Sequence, residues 1–409
     1  MRTQDLIPSE TLEIEQPYDP WMEVAVELEE VSQALDLEPW IVERLRHCES
    51  ELNCNLLLRR DDGAMQTCRA IRVGYSSVFP NQCGELRITS KAYLNSTRAA
   101  AARNTWSAAL FGLPLAGSAT ALISDPRDLS ERELHRLVLE FAGSTAAPSV
   151  KEMLLPGDGA NEYVFGWLAR SHNPASLVLN PCHDSASAGL AFAIRRLSKA
   201  RVGTRPMRIA LQGFGAAERS LAQHLVAKGA LLVAVVDHSG GVCDSLGLNL
   251  PALQAHVERE QLLFEYPDAE PICNADLLQT KCDVLVLATN ERQVTGMNAE
   301  HVKASLVVEC VPDAVSTRAE EVMGGSGTLV LPYTFAHGIK LSAVAQHQGP
   351  SRDALSSKRE QAGSRLAVAH ALELILKCAQ SRKVSLRIAA QSLAVECVAR
   401  RLRFQGCGL

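Results

Sequence analysis

The stretch Arg208–Gly241, RIALQGFGAAERSLAQHLVAKGALLVAVVDHSGG, decides the fold of one half of the chain. Its apolar runs predict two strands, Ile209–Leu211 and Leu231–Val236. The helical pattern of Ala216–Lys228 lies between them. A strand, a glycine-containing turn, a helix and a second strand make half of a nucleotide-binding βαβ unit. The sequence therefore predicts a Rossmann-type domain.

The turn Gly213-Phe214-Gly215 and Asp237 stand where a dinucleotide would be bound. Glycines in such a turn let the backbone approach a pyrophosphate at a helix N-terminus, and an acid about 20 residues later accepts the ribose hydroxyls. Glu218 occupies the position of the third glycine in GxGxxG. A carboxylate there supplies the negative charge that a bound pyrophosphate would otherwise bring to the helix N-terminus. The turn predicts a binding site for NAD, weak or absent because of Glu218.

Bulk composition restricts the function classes. The chain has 409 residues, 47% of them hydrophobic, which is enough for two domains with separate cores. Its net charge of −5, with scattered basic residues, favours neither nucleic-acid binding nor a polybasic membrane surface. The acidic N-terminus lacks the apolar core of a signal peptide, and no run reaches the length of a membrane span. We expect a cytoplasmic protein whose partners are small molecules or proteins.

Twelve cysteines occur without any C-x-x-C spacing. A zinc site or a redox pair therefore has no support from spacing, and we expect buried, reduced thiols and no metal.

The rest of the chain alternates between predicted helices and strands. The polar segment His337–Ser357 predicts a hinge or loop, and the basic connection Lys199–Arg205 marks a domain boundary. Helices are predicted at 21–35, 40–47, 96–110, 134–141, 161–169, 187–197, 250–258, 299–303, 316–323, 359–380 and 385–404, and strands at 52–59, 66–75, 85–88, 284–287, 305–308 and 328–331. Strands that alternate with helices after Asp237 predict a parallel sheet covered on both faces.

Several motifs together resemble the glutamate/leucine/phenylalanine/valine dehydrogenase family, and most closely the glutamate dehydrogenases. They extend over roughly residues 19–404 and include LLLRRDDG (56–63), TWSAALFGLPLAG (105–117), IALQGFG (209–215), LVVECV (306–311) and SLRIAAQSLAVECVA (385–399). The resemblance implies an α/β fold with an N-terminal mixed-sheet substrate and oligomerisation domain, a Rossmann-type domain, and C-terminal helices that return to the first domain. We accordingly divide the chain into a mobile tail (1–20), the first domain (21–198), the dinucleotide-binding-like domain (199–345) and the C-terminal helices (346–409).

The residues that would carry the family's chemistry are largely replaced. By the resemblance, Ala119 takes the place of the catalytic lysine, Ser107 that of the TWK lysine, and Cys83 that of the KGGxR lysine. Arg87, the arginine of that last motif, is retained and could bind a carboxylate through its planar fork, or form a structural salt bridge with Glu85.

The aspartate loop is altered as well. Gly157 stands at the aspartate position, and Asp158, one residue later, is a weak candidate for its role. The family's ANGP turn, near the nicotinamide, reads Val311–Ala314 here. Four other polar residues border the implied cleft, and each also has an ordinary structural explanation: His183, Asp184, His337 and Lys340.

Two functions remain open at this stage. One is a pseudoenzyme, a dehydrogenase-like scaffold, regulator or ligand sensor that forms homo-oligomers or hetero-oligomers with an active paralogue. The other is a divergent NAD(P)-dependent amino-acid oxidoreductase with rebuilt catalytic groups. The replaced positions Ala119, Ser107 and Gly157 favour the first, whereas Gly213, Gly215 and Asp237 keep the second open.

Overall fold

A computed structural model describes residues 18–76, 78–144, 152–171, 176–177, 183–260, 262–289, 291–347 and 354–406. The predicted mobile tail lies outside these residues except for its last three, and Pro20 already begins the first helix. Within the described part of the chain, no helix is long and apolar enough to cross a membrane.

The first half of the chain forms a six-stranded mixed sheet in the order β1-β2-β4-β3-β5-β6. Strands β1, β2 and β4 pair antiparallel, whereas β4, β3, β5 and β6 run parallel. The elements are α1 (Pro20–Leu35), α2 (Pro39–Leu45), β1 (Ser50–Arg59), β2 (Met65–Gly74), β3 (Asn81–Ile88), α3 (Leu94–Leu110), β4 (Leu115–Ile123), α4 (Glu131–Gly143), β5 (Glu152–Pro156), α5 (Glu162–Arg170), β6 (Ser176–Leu177) and α6 (His183–Val202).

The predicted Rossmann-type half is a seven-stranded sheet in the order β10-β9-β8-β7-β11-β12-β13. Five neighbouring strands run parallel: β8, β7, β11, β12 and β13. Strands β9 and β10 form an antiparallel edge that the sequence pattern did not predict. The elements are β7 (Arg208–Gln212), α7 (Ala216–Val226), β8 (Leu231–Asp237), β9 (Gly240–Cys243), α8 (Leu250–Glu260), β10 (Glu270–Ile272), α9 (Asn274–Gln279), β11 (Val284–Leu287), β12 (Leu306–Glu309), α10 (Thr317–Gly325) and β13 (Leu329–Leu331). The predicted helix at 299–303 is only a 3₁₀ turn, Ala299–His301.

Three helices close the chain: α11 (Tyr333–His347), α12 (Ala354–Arg382) and α13 (Leu386–Gly406). The prediction of a loop over His337–Ser357 is therefore wrong for residues 337–347 and 354–357, and residues 348–353 lie outside the described residues. Gly338, which suggested a break, allows a close contact instead, because a Cβ there would lie 2.4 Å from the ring of Phe111, which caps the C-terminus of α3. The helix continues through this glycine and packs directly on α3.

One hydrophobic cluster includes residues of both halves of the chain. It includes Trp106 of α3, Phe335 and Ile339 of α11, and Leu211 of β7, all buried. Helix α3 contacts both α11 and α13, so the C-terminal helices return to the first domain, as the resemblance implied. The carboxyl end of β7, with its glycine turn, therefore faces the same space as the polar residues of β3.

Candidate functional site in the cleft between the sheets

The glycine turn has the geometry that the sequence predicted. Gly213 has a φ of +95°, a conformation that favours glycine, and a Cβ there would lie 3.2 Å from Cγ2 of Thr289. Phe214 is buried in the core, and Gly215 is the N-cap of α7. The turn lies between β7 and β11, where the strand order of the sheet reverses, which is the usual ligand position in such folds.

Glu218 folds back onto this turn. The backbone N–H groups of Gly215 and Glu218 donate hydrogen bonds to its carboxylate, and one carboxylate oxygen lies 2.8 Å from where a Cβ on Gly215 would be. Burial raises the pKa of this carboxyl group. The carboxylate thus satisfies an N–H group at the helix N-terminus that a phosphate would otherwise use.

Asp237 is at the tip of β8, as expected for a ribose-binding acid. Its Oδ1 accepts hydrogen bonds from the backbone N–H and the hydroxyl of Ser239, both at 2.7 Å. These bonds fix the carboxylate, and Oδ2 lies only 3.9 Å from the exposed His238 ring. Asp237 could still accept a hydroxyl group through Oδ2.

The residues present fit a dinucleotide only in part. The turn and Asp237 suit the ribose end, whereas the Glu218 carboxylate lies where the pyrophosphate would bind and carries the same sign of charge. Among the described residues, no cluster of histidine, cysteine and carboxylate side chains could hold a metal ion.

An ion pair crosses the cleft between the two halves of the chain. Lys340 Nζ of α11 lies 2.6 Å from Glu85 Oε1 of β3. Their side chains retain only 26% and 23% of their exposure. Burial by itself would raise the pKa of Glu85, but attraction to Lys340, His337 and Arg87 and the hydrogen bond from Lys340 together lower it to about 2. Lys340 also acts electrostatically on His183, His337 and Glu218, so one lysine serves as the central cation of the cleft.

The three positions that the resemblance assigns to family lysines carry small side chains in this chain. Ala119 is buried on β4 and is the register partner of Glu85 on the neighbouring strand. Cys83 is buried in a small apolar cluster with Leu341 and Val344 of α11, and burial raises the pKa of its thiol. Ser107 is fully buried in α3. The surroundings of Cys83 are now apolar core.

Gly157 and Arg87 fit together sterically. A Cβ on Gly157 would lie 2.8 Å from Cγ of Arg87, so a larger residue at this position would displace the arginine. Nη2 of Arg87 donates to the carbonyl oxygen of Ser96 at 3.4 Å, while its buried Nε has no hydrogen-bond partner. Arg87 and Glu85 form no salt bridge with each other; the Glu85 carboxylate pairs with Lys340 instead. Asp158 is exposed beside this loop.

His337 is a buried titratable group of the cleft. It stacks on Tyr333 with ring centroids 5.1 Å apart, and its Nε2 has no hydrogen-bond partner. Burial lowers its pKa to about 4, so the imidazole is neutral at pH 7. Burial also lowers the pKa of His183. Asp184 turns away toward α7, where it accepts hydrogen bonds from Ser220 and His224.

A cavity of about 540 Å³ lies elsewhere, between Arg201, Lys303 and Thr328. These residues precede or flank the amino ends of β12 and β13. The cavity is therefore on the opposite edge of the sheet from the glycine turn and takes no part in the cleft.

Comparisons with known proteins agree on one family. Residues 182–406 match the Glutamate/Leucine/Phenylalanine/Valine dehydrogenase family, and residues 48–172 match the dimerisation domain of Glu/Leu/Phe/Val dehydrogenases. The sequence is 25% identical to glutamate dehydrogenase A2 of Halobacterium salinarum over 408 residues, covering 95% of this chain and 98% of that protein. It is 27% identical to the NADP-specific glutamate dehydrogenase of Synechocystis over 318 residues, covering 71% and 74%.

Among solved structures, the fold is similar to a hetero-hexameric glutamate dehydrogenase from Thermus thermophilus in its leucine-bound form. The TM-score is 0.84 at 25% identity, and the match covers 95% of this chain and 98% of that one. A glutamate dehydrogenase from Peptoniphilus asaccharolyticus matches with a TM-score of 0.76 at 18% identity, covering 95% and 100%.

Proposed function

Because the chain belongs to the glutamate/leucine/phenylalanine/valine dehydrogenase family, we propose that it is a catalytically inactive member, acting as a scaffold, regulator or ligand sensor. The observation that carries this proposal is the Lys340–Glu85 ion pair. It places a carboxylate and an ammonium group of the chain itself in the cleft where an amino-acid substrate would need free cations.

The chemistry of deamination has no support from the side chains that remain. With Ala119, Ser107 and Cys83 at the three lysine positions, no cation at those positions can hold a substrate carboxylate or polarise its carbonyl. Loss of a single acid or base typically reduces a rate by about 10²–10⁴. Because several such groups are replaced at once, we expect the protein to have no turnover rather than slow turnover.

Glu218 extends the same argument to the cofactor. A carboxylate on the pyrophosphate turn should weaken NAD and NADP alike, while Asp237 should still favour NAD by repelling a 2′-phosphate. Titration calorimetry with both dinucleotides tests this. We expect Glu218→Gly to bind NAD at least about 10-fold more tightly than the parent protein, equivalent to about 1.4 kcal/mol. Glu218→Gln, which keeps the size and removes the charge, separates repulsion from obstruction. Clear micromolar binding of NAD by the unmodified protein would contradict the proposal.

We further propose that the protein works within an oligomer, either with itself or with a catalytically competent paralogue. Its first half matches a dimerisation domain, and one structural neighbour is a hetero-hexamer. Light scattering of the purified protein at micromolar concentration should therefore give a mass above that of the 44.2 kDa chain. A purely monomeric species, alone and after co-expression with the paralogue, would remove this part of the proposal.

A second candidate function is a divergent NAD(P)-dependent oxidoreductase. One arrangement favours it: Lys340 acts electrostatically on Glu85, His337 and His183, which together are a set of groups able to move protons. Turnover of any amino acid that disappears in Lys340→Met would support this alternative against the inactive scaffold.

A further inference from the structure

We infer that Tyr18, Arg103 and Asp313 form a latch that holds the two halves of the protein together, between helix α3 and the loop after β12, without any bound ligand. The latch is separate from the Lys340–Glu85 pair and joins different elements.

A buried ion pair forms the centre of the latch. Nη2 of Arg103, on α3, donates to both carboxylate oxygens of Asp313, at 2.8 and 2.6 Å. Asp313 follows β12 of the seven-stranded sheet and has a φ of +51°, which is uncommon outside glycine. The two residues are only 5% and 7% exposed, so this contact between the halves excludes water.

Tyr18 also binds this ion pair. Its hydroxyl donates to Oδ2 of Asp313 at 2.6 Å, and the guanidinium of Arg292 lies 5.3 Å from the centre of its ring. Arg292 in turn contacts Glu23 of α1 at 3.6 Å, and its backbone N–H donates to the carbonyl oxygen of Asp313. The segment that leads into α1 is thus fixed to the loops after β11 and β12.

A second buried arginine ties the same region to the last helix. Arg387 of α13 donates to Glu320 of α10 at 2.6 Å and lies 3.1 Å from Glu309 at the end of β12 and 3.8 Å from Glu27 of α1. Opening the cleft at this end would separate these contacts together with those of Asp313. Concerted loss of several buried charge pairs leaves unpaired groups, which is strongly unfavourable.

The consequence concerns how the cleft is held closed. In an enzyme that closes on its ligand, contacts with the ligand stabilise the closed arrangement. Here residues of the chain itself supply the contacts, at the turn that would lie near a nicotinamide. The protein should therefore keep one domain arrangement whether or not small molecules are present.

Hydrogen–deuterium exchange of the full-length protein tests the latch. Peptides covering Gly157–Asn161 and Gly213–Glu218 report on the two walls of the cleft and contain no latch residue. We expect Asp313→Asn and Tyr18→Phe to raise exchange in both peptides at least tenfold, with no change in β9 and β10. The control is Arg98→Met, also on α3, whose partner Glu51 lies in the same half of the chain; it should leave both peptides unchanged.

Two results would overturn the inference. One is unchanged exchange at both walls in Asp313→Asn and Tyr18→Phe. The other is a tenfold slowing of exchange at both walls when NAD and glutamate are added to the unmodified protein, since a ligand would then provide the closure. If Asp313→Asn raises exchange throughout the chain, the milder Tyr18→Phe, which removes only one hydroxyl group, decides between these outcomes.

Discussion

Substituting Lys340 tests whether its ion pair with Glu85 inside the cleft stabilises the folded protein. Lys340→Met removes the ammonium group and keeps most of the apolar side chain. The pKa of Glu85 falls from 4.5 to about 2 in the folded protein. At about 1.4 kcal/mol for each pH unit, this corresponds to about 3.5 kcal/mol in favour of the charged carboxylate, with Lys340 as the largest of the stabilising partners. Because both side chains keep about a quarter of their exposure, we expect a loss of about 1–3 kcal/mol at pH 7.

The sign follows from the direction of the shift. A carboxylate whose pKa is lowered by folding contributes stability above its unfolded pKa, and that contribution is lost as the pH falls through the folded value. The difference in the free energy of unfolding between Lys340→Met and the parent protein should therefore be largest at pH 7, should decrease below pH 4.5 and should be small at about pH 2.

Equilibrium urea unfolding at a single protein concentration measures this loss. The control is Lys377→Met, which removes an exposed lysine paired with Glu373 on α12 and should cost no more than about 0.5 kcal/mol. In the Lys340→Met background, Glu85→Gln should recover most of the stability, because the unpaired carboxylate is then removed. An effect of Lys340→Met no larger than that of Lys377→Met, or no recovery by Glu85→Gln, would refute the reasoning.

Two other predictions concern buried charge and the lysine position. Burial raises the pKa of Glu27 from 4.5 to about 7, so its neutral form stabilises the fold below pH 4.5 and this stability is lost as the pH rises through about 7. Between pH 5 and pH 8, the free energy of unfolding in urea should therefore fall by about 1–3 kcal/mol less for Glu27→Gln than for the parent protein. An equal fall in both proteins would contradict this. Ala119→Lys alone should give no deamination of glutamate in a dinucleotide-reduction assay, because Ser107 and Gly157 remain unable to assist; measurable turnover would show that one lysine suffices.

Local sequence patterns predicted most of the Rossmann-type half. The turn at Gly213, the strand Val284–Leu287 and the position of Asp237 depend on residues close together in the chain, and the structure contains all three. Strand β4 was not predicted, because its interior residues are all buried and its sequence, LAGSATALI, shows no alternation. The loop expected after His337 was wrong, because Gly338 serves a close helix contact that only the folded chain reveals.

The candidate site shows the same contrast between local features and contacts of distant residues. Glu218 was recognised because it breaks a motif, and its contact with Gly215 spans only three residues. The resemblance places Lys340 at the border of the cleft, yet nothing in the sequence indicates that it pairs with Glu85, 255 positions away. The same holds for Arg103 and Asp313, 210 positions apart. Pairings over such distances depend on the packing of α3 and α11, which local patterns do not specify.

The central claim, that the protein does not catalyse oxidative deamination, is tested most directly by a turnover assay. Purified full-length protein is supplied with glutamate, leucine, valine or phenylalanine and with NAD or NADP, and dinucleotide reduction is followed. We predict no reduction above the protein-free blank in any combination. Turnover that is abolished by Arg87→Ala or Asp158→Asn, so that a contaminating enzyme is excluded, would contradict the account and identify a rebuilt active site.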